Sequence, residues 1–141
     1  MNPIIRNIMA VVGGVAIGSL VNFGLIMLSP SIVPPPDGVD PTAIEDIKSV
    51  IHLFEPKHYI MPFLAHALGT LVGAFVAAKF SASHHFFCAL GVGIYFLLGG
   101  IAANMMLGSP TWYWIVDILF AYIPMAFIGE KLAGEKSNKT F

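Results

Sequence analysis

The sequence predicts an all-α membrane protein: a bundle of four transmembrane helices with a short extracytoplasmic amphipathic helix between the first and second. Three observations carry this. Of 141 residues, 57% are hydrophobic and only 11% charged, with mean hydropathy +0.81, whereas an ordinary soluble domain is about a quarter charged. Four apolar runs each approach the roughly 20 residues needed to cross a hydrocarbon core. The runs are continuous and rich in Gly, Ala and Leu, unlike the short alternating segments of a membrane barrel. The length allows a single membrane domain, residues 1–141.

The first span is expected over residues 8–28. Arg6 precedes it, as in a secretory signal, but the run is long for one and Met27-Leu28-Ser29-Pro30 is a poor cleavage site. An uncleaved helix is the reading. Residues 29–57 form the outer segment. Pro30, Pro34, Pro35 and Pro36 predict a stiff, extended exit, and Asp37-Gly38 a turn. Asp40 as N-cap and Pro41 at the first helical position then start a helix. Ile44, Ile47, Val50, Ile51 and Phe54 follow at helical spacing, which predicts an amphipathic helix of about 14 residues closed by Pro56. It serves either as a helix lying in the outer interface or as a lid over an outward cavity.

The second span is expected over 58–78, the third over 86–107 and the fourth over 111–129. Pro62 and Pro124 are expected to be kinks or hinges in the second and fourth. Arg6, Lys79, Lys131, Lys136 and Lys139 fall on the side of the termini and the second turn. The outer segment is acidic, with Asp37, Asp40, Glu45, Asp46 and Glu55 against Lys48 and Lys57. The positive-inside rule then puts both termini in the cytoplasm. Trp112, Tyr113, Trp114 and Tyr59 mark the outer interface.

Small residues recur on one face of each helix: Gly14 and Gly18; Gly69, Gly73 and Ala77; Gly93, Gly100 and Ala103. Such stripes let membrane helices approach closely. Asn22, His66 and Asn104 each continue a stripe and should point into the bundle. Asp117 is the only acidic residue inside an apolar run, and a carboxylate there costs a few kcal/mol on insertion scales. By threading depth all four lie in the outer half of the membrane. They are expected to form a polar cluster with a His66–Asp117 contact at its centre. An imidazole beside a carboxylate lets the pair share a proton and titrate as a unit. The competing reading is a hydrogen-bond network that fixes helix packing.

Other chemistry is sparse. Cys88 is the one cysteine, which excludes an intramolecular disulfide, a CxxC pair and a Cys-rich metal site. His84-His85 reads as a solvated turn, and His52, Glu55 and His58 straddle a helix end, so no metal and no cofactor are expected. The net charge of −1 gives no case for nucleic acid. No nucleophile elbow, phosphate loop or zinc-protease motif is present. The ends of the first and third spans, Asn22 to Pro30 and Asn104 to Pro110, look alike and suggest a repeated helix pair.

Pro34-Pro35-Pro36-Asp37-Gly38-Val39-Asp40-Pro41, the run His66-Ala67-Leu68-Gly69-Thr70-Leu71-Val72-Gly73-Ala74 and Pro110-Thr111-Trp112-Tyr113-Trp114 come in this order. The order resembles an uncharacterised group of small four-helix bacterial membrane proteins. The resemblance implies a bacterial inner-membrane location and no activity. Small multidrug transporters also combine four helices with one membrane carboxylate, but theirs lies in the first helix, where this chain has none. Four-helix quinone reductases need a membrane CxxC.

Three function classes follow. The first is a structural or accessory subunit held together by the Asn/His/Asp cluster. The second is a proton-coupled small-solute transporter using Asp117 and His66. The third, a lipid- or quinone-handling enzyme with His66 as base, is disfavoured for want of a nucleophile, so the reading leans away from an enzyme. The expected partners are the lipid bilayer and either a homo-oligomer or a partner membrane subunit.

Overall fold

In a computed structural model, residues 1–36, 39–40 and 42–138 are described, with side chains to residue 134. Six α-helices follow in order: α1 (Pro3–Ile32), α2 (Ile44–Val50), α3 (Ile60–Phe80), α4 (His85–Leu107), α5 (Thr111–Phe120) and α6 (Ile123–Asn138). Two 3₁₀ turns, Ile51–Leu53 and Pro56–Tyr59, lead from α2 into α3. No strand occurs among the described residues. Four helical stretches are long and apolar enough to cross a membrane: α1, Pro56–Phe80, α4, and α5 with α6 through Gly134.

α1 departs from expectation at its end. Its 30 residues run through Pro30 to Ile32, about 45 Å at 1.5 Å per residue. The stop is Val33, which turns extended before Pro34, because the proline ring disfavours helical backbone in the residue ahead of it. The proline exit therefore begins at Val33, not at Pro30.

The amphipathic helix is also shorter than expected. α2 has seven residues and continues only as the 3₁₀ turn at Ile51–Leu53, with Phe54 extended. Asp40 is not its cap: the Asp40 carboxylate accepts from the Thr42 amide (2.9 Å) and the Thr42 hydroxyl (2.6 Å), closing a local turn. Ala43 takes the cap position without a side-chain bond. The expected turn at Asp37-Gly38 and the role of Pro41 lie outside the described residues, as does Lys139.

Helices α1 and α3 meet through their glycines. A Cβ on Gly14 would strike the Gly73 carbonyl oxygen, and one on Gly18 would lie 2.5 Å from that of Gly69. The relation is mutual: Cβ atoms on Gly69 and Gly73 would meet the carbonyls of Gly18 and Gly14 at 2.8 and 2.7 Å. Backbones this close leave no room for side chains, which is how small residues bring membrane helices together. At the end of the bundle near the termini, Arg6 Nε donates to the Phe80 carbonyl (2.9 Å), and Asn7 accepts from the Ala82 amide (2.8 Å). These bonds tie α1 to the α3–α4 turn.

The fourth apolar stretch is broken. α5 ends at Phe120, Ala121 and Tyr122 form a bend, and Pro124 is the second residue of α6. Proline suits the first turn of a helix, where its missing N–H has no partner to lose. Pro62 holds a similar place in the first turn of α3, which runs unbroken to Phe80. The core between α3, α4 and α6 is built of Ala74, Ala77, Ala89, Val92, Phe96 and Ala126.

Candidate functional site

Asp117 is wholly buried near the end of α5. Its Oδ1 lies 2.8 Å from His66 Nδ1 on α3. Its Oδ2 accepts from Asn104 Nδ2 on α4 (3.0 Å) and from the Tyr122 hydroxyl in the α5–α6 bend (2.8 Å). The Tyr113 hydroxyl, one turn back on α5, reaches Oδ1 at 3.5 Å. Four donors thus surround one carboxylate, the arrangement a buried charge requires.

The tautomer of His66 follows from this geometry. The Tyr122 hydroxyl spends its hydrogen on Asp117 Oδ2 and turns its oxygen to His66 Nδ1, 2.9 Å away. Nδ1 therefore faces two oxygen acceptors, Asp117 Oδ1 and the Tyr122 oxygen, and must be the N–H. Beside an ionised Asp117, neutral His66 keeps its lone pair on Nε2. That atom has no partner among the described residues. The ring is stacked on Tyr122 with centroids 5.8 Å apart, and Thr70 Oγ1 donates to the His66 carbonyl (2.8 Å). The His66 side chain keeps 14% of its surface exposed, where Asp117 keeps none.

That exposed surface faces two cavities. One, of about 300 Å³, lies toward the end of the bundle that carries α2. Val33 just after α1, Ile47 and Ile51 of the connection, Tyr59, Leu107 of α4 and Tyr113 line it, with His66 and Asn104 at the inner end. The other, of about 470 Å³, lies deeper, between α1 and α4, lined by Ser19, Asn22, Phe96, Gly99 and Gly100, with His66 and Tyr122 on its wall. On α1 and just past it the first cavity touches residues 26–33 and the second 19–22; on α4 the ranges are 103–107 and 95–103. His66 stands between two levels of the bundle. Among the described residues, no Lys, Arg, Asp or Glu lines either cavity.

The structure thus brings His66, Asn104 and Asp117 together and leaves Asn22 apart. Asn22 packs its Cβ against Gly69 and lines the deeper cavity, with no side-chain hydrogen bond to a described residue. The two asparagines are not equivalent, and the unbroken α3 differs from the broken fourth stretch, so the suggested repeat has no counterpart in the site. Pro124 lies next to the site, two residues after Tyr122.

Three tyrosines were not anticipated as site residues. Tyr113 was detectable: it stands four residues before Asp117, on the same helical face. Tyr122 was not, because five residues of unbroken helix would turn it away. Tyr59 lines the first cavity, is buried, and its hydroxyl has no hydrogen-bond partner among the described residues. Its ring lies 4.6 Å from that of Tyr113.

Metal chemistry has no set of ligands here: among the described residues no three His, Cys, Asp or Glu side chains converge. His85 Nδ1 is taken up by Ser81 and the Ala78 carbonyl, and His58 Nδ1 accepts from the Glu55 amide. Comparison with protein-family models, with curated proteins and with solved structures finds no match for this chain.

Proposed function

We propose that this chain is a small membrane carrier that couples a proton to a small solute at the Asp117–His66 pair. One observation carries the reading. His66 is fixed to a buried carboxylate through Nδ1, while the rest of its ring opens onto cavities at two levels of the bundle. A carboxylate that holds one ring nitrogen sets the tautomer and leaves the other nitrogen as an acceptor. His66 then takes a proton or a solute hydrogen bond at Nε2, and Asp117 balances the charge. The break at Ala121–Tyr122 supports the reading, since interrupted helices beside a mid-membrane polar site are the usual construction of carriers. In this reading the protein lies in a bacterial inner membrane, the termini are cytoplasmic and the acidic connection faces outward. A bundle this small would act as an oligomer.

A second reading, a structural or accessory subunit, is favoured by the saturation of Asp117. Donors from α3, α4, α5 and the α5–α6 bend converge on it, and such a node holds helices in register. The apolar outward face of α1, with Ile8, Val12, Leu20 and Phe23 exposed, would then seat lipid or a partner helix.

Reconstituted vesicles separate the two. An imposed pH gradient should drive solute-dependent proton flux through the wild type. Asp117→Asn should keep its helical spectrum and gel-filtration profile while losing that flux. No flux from wild type, with an unfolded Asp117→Asn protein, leaves the structural reading standing.

A further inference from the structure

The charge and hydrogen-bonding capacity of the site define the chemistry of its solute. We infer that the solute is an apolar amine, bound as its ammonium form with N–H donated to His66 Nε2; this rests on the proton-coupled reading above.

Four observations lead there. With Asp117 ionised and His66 neutral, the site carries one negative charge inside a low-dielectric bundle. Among the described residues no Lys or Arg lines either cavity to offset it, so a permanent anion would be repelled. The free atom of the imidazole, Nε2, is an acceptor, which selects a donor on the solute; a quaternary ammonium has none. The Tyr59 hydroxyl, buried without a partner among the described residues on the wall of the same cavity, offers an oxygen that can accept as well as donate. Leaving such a group unpaired costs roughly 1–3 kcal/mol, so a ligand that engages it gains.

The rest of the cavity accepts an apolar body. Phe54, Tyr59 and Tyr113 contribute aromatic rings, and Val33, Ile47 and Ile51 aliphatic surface. Ring faces attract an ammonium over an anion. At about 300 Å³ the cavity suits a one-ring molecule, the small end of ligand pockets. Exposed Asp40, Glu45, Asp46 and Glu55 around the connection outnumber Lys48 and Lys57, which raises the local concentration of cations.

Proton coupling then follows from charge. An ammonium and a proton compete for the same single negative charge, so each one bound displaces the other. The titratable groups that face the pair are Tyr113 and Tyr122, with His58 and Tyr59 farther along the cavity wall. From α4 come the neutral Asn104 and, on the wall of the deeper cavity, the titratable Tyr95, and from α1 the neutral Ser19 and Asn22.

The test uses purified full-length protein in detergent and titration calorimetry with one body and five heads: 2-phenylethylamine, its trimethylammonium analogue, 2-phenylethanol, 3-phenylpropionate and ethylbenzene. The amine should bind at least about tenfold tighter than its quaternary and hydrocarbon analogues, the worth of one charge-assisted hydrogen bond. The alcohol should fall between, and the carboxylate should bind weakest. Repeating the amine titration in buffers of different ionisation enthalpy, over a falling pH series, should show proton release where the free pair already holds a proton and none where it does not. His66→Gln and Tyr59→Phe, which leave Asp117 in place, should each narrow the amine's advantage. Carboxylate binding equal to or tighter than amine binding overturns the solute class, as does an amine no better than ethylbenzene or no binding at all. Amine selectivity without proton release would keep the solute class and sink the coupling; carboxylate binding with proton uptake would do the reverse.

Discussion

Gly100 is the position where the packing of α4 decides whether the polar site can form. A methyl group there would fall on the hydroxyl and ring of Tyr122, which is 1% exposed. Gly100→Ala should therefore push Tyr122 off both Asp117 and His66. An interhelical hydrogen bond in a membrane is worth roughly 0.6–2 kcal/mol, and overpacking a filled core typically costs about 1–3 kcal/mol. The expected loss is about 2–4 kcal/mol, measured by equilibrium unfolding in mixed micelles. A double-mutant cycle isolates the cause. With Tyr122→Ala in place the methyl group has nothing to strike, and alanine is the better helix former by about 1 kcal/mol. Gly100→Ala should then be neutral or stabilising. Equal destabilisation in both backgrounds would show that Gly100 serves something other than the seat of Tyr122.

Gly13 and Gly14 should differ although they are neighbours. Gly14→Ala meets the Gly73 carbonyl and should cost about 1–3 kcal/mol, while Gly13→Ala enters open space and should cost nothing; thermal unfolding in detergent compares them, and similar losses would refute the α1–α3 contact. Asn104→Ala leaves Asp117 Oδ2 one donor short and should cost roughly 1–2 kcal/mol, whereas Asn22→Ala keeps the Cβ packed on Gly69 and should stay within about 0.5 kcal/mol. The bonds from the Thr42 side chain, then its amide, hold the Asp40 carboxyl below the usual 3.8. This favours the ionised form in the folded turn, so the contribution is complete above about pH 4 and lost as pH falls through the lowered value. Amide exchange at Thr42 should quicken over that acid range in wild type, and lose its pH response in Asp40→Asn.

The sequence carried the helical architecture because composition and run length act over whole elements. α4 falls within a residue of its expected bounds, 86–107 against His85–Leu107. It ends at Gly108, whose φ of 68° glycine adopts without strain. What could not be read were the places where one residue opposes its neighbours. Pro30 looked like a stop, yet it sits inside α1; the pre-proline restriction acts one residue ahead of a ring, and the run Pro34–Pro36 supplied the real stop. Asp40 had the composition of a cap, but its side chain closed on Thr42 first, in the local competition that makes Asp favour turns over helices. Among site residues, the stripes placed His66 and Asn104 correctly on inward faces. They also put Asn22 against α3, but a stripe specifies which helix is met and not which partner. Asn22 meets Gly69, which offers no side chain to bond.

The break in the fourth stretch and the polar site depend on one another. In a continuous helix each residue advances about 100°, so Tyr122 would point about 140° away from Asp117. Only the bend at Ala121–Tyr122 returns its hydroxyl to within 2.8 Å of Oδ2 and 2.9 Å of His66 Nδ1. Straightening the stretch would withdraw one donor from the carboxylate and one acceptor from the imidazole N–H. Conversely, a proton added to the pair changes what Tyr122 is asked to do. A protonated Asp117 has less need of the Tyr122 hydrogen, and a hydroxyl released from Oδ2 no longer holds the bend. The backbone bond from the Ala121 amide to the Asp117 carbonyl (3.0 Å) joins the two ends of this loop of dependence. Charge at Asp117–His66 and the bend between α5 and α6 therefore meet at one group, the Tyr122 hydroxyl.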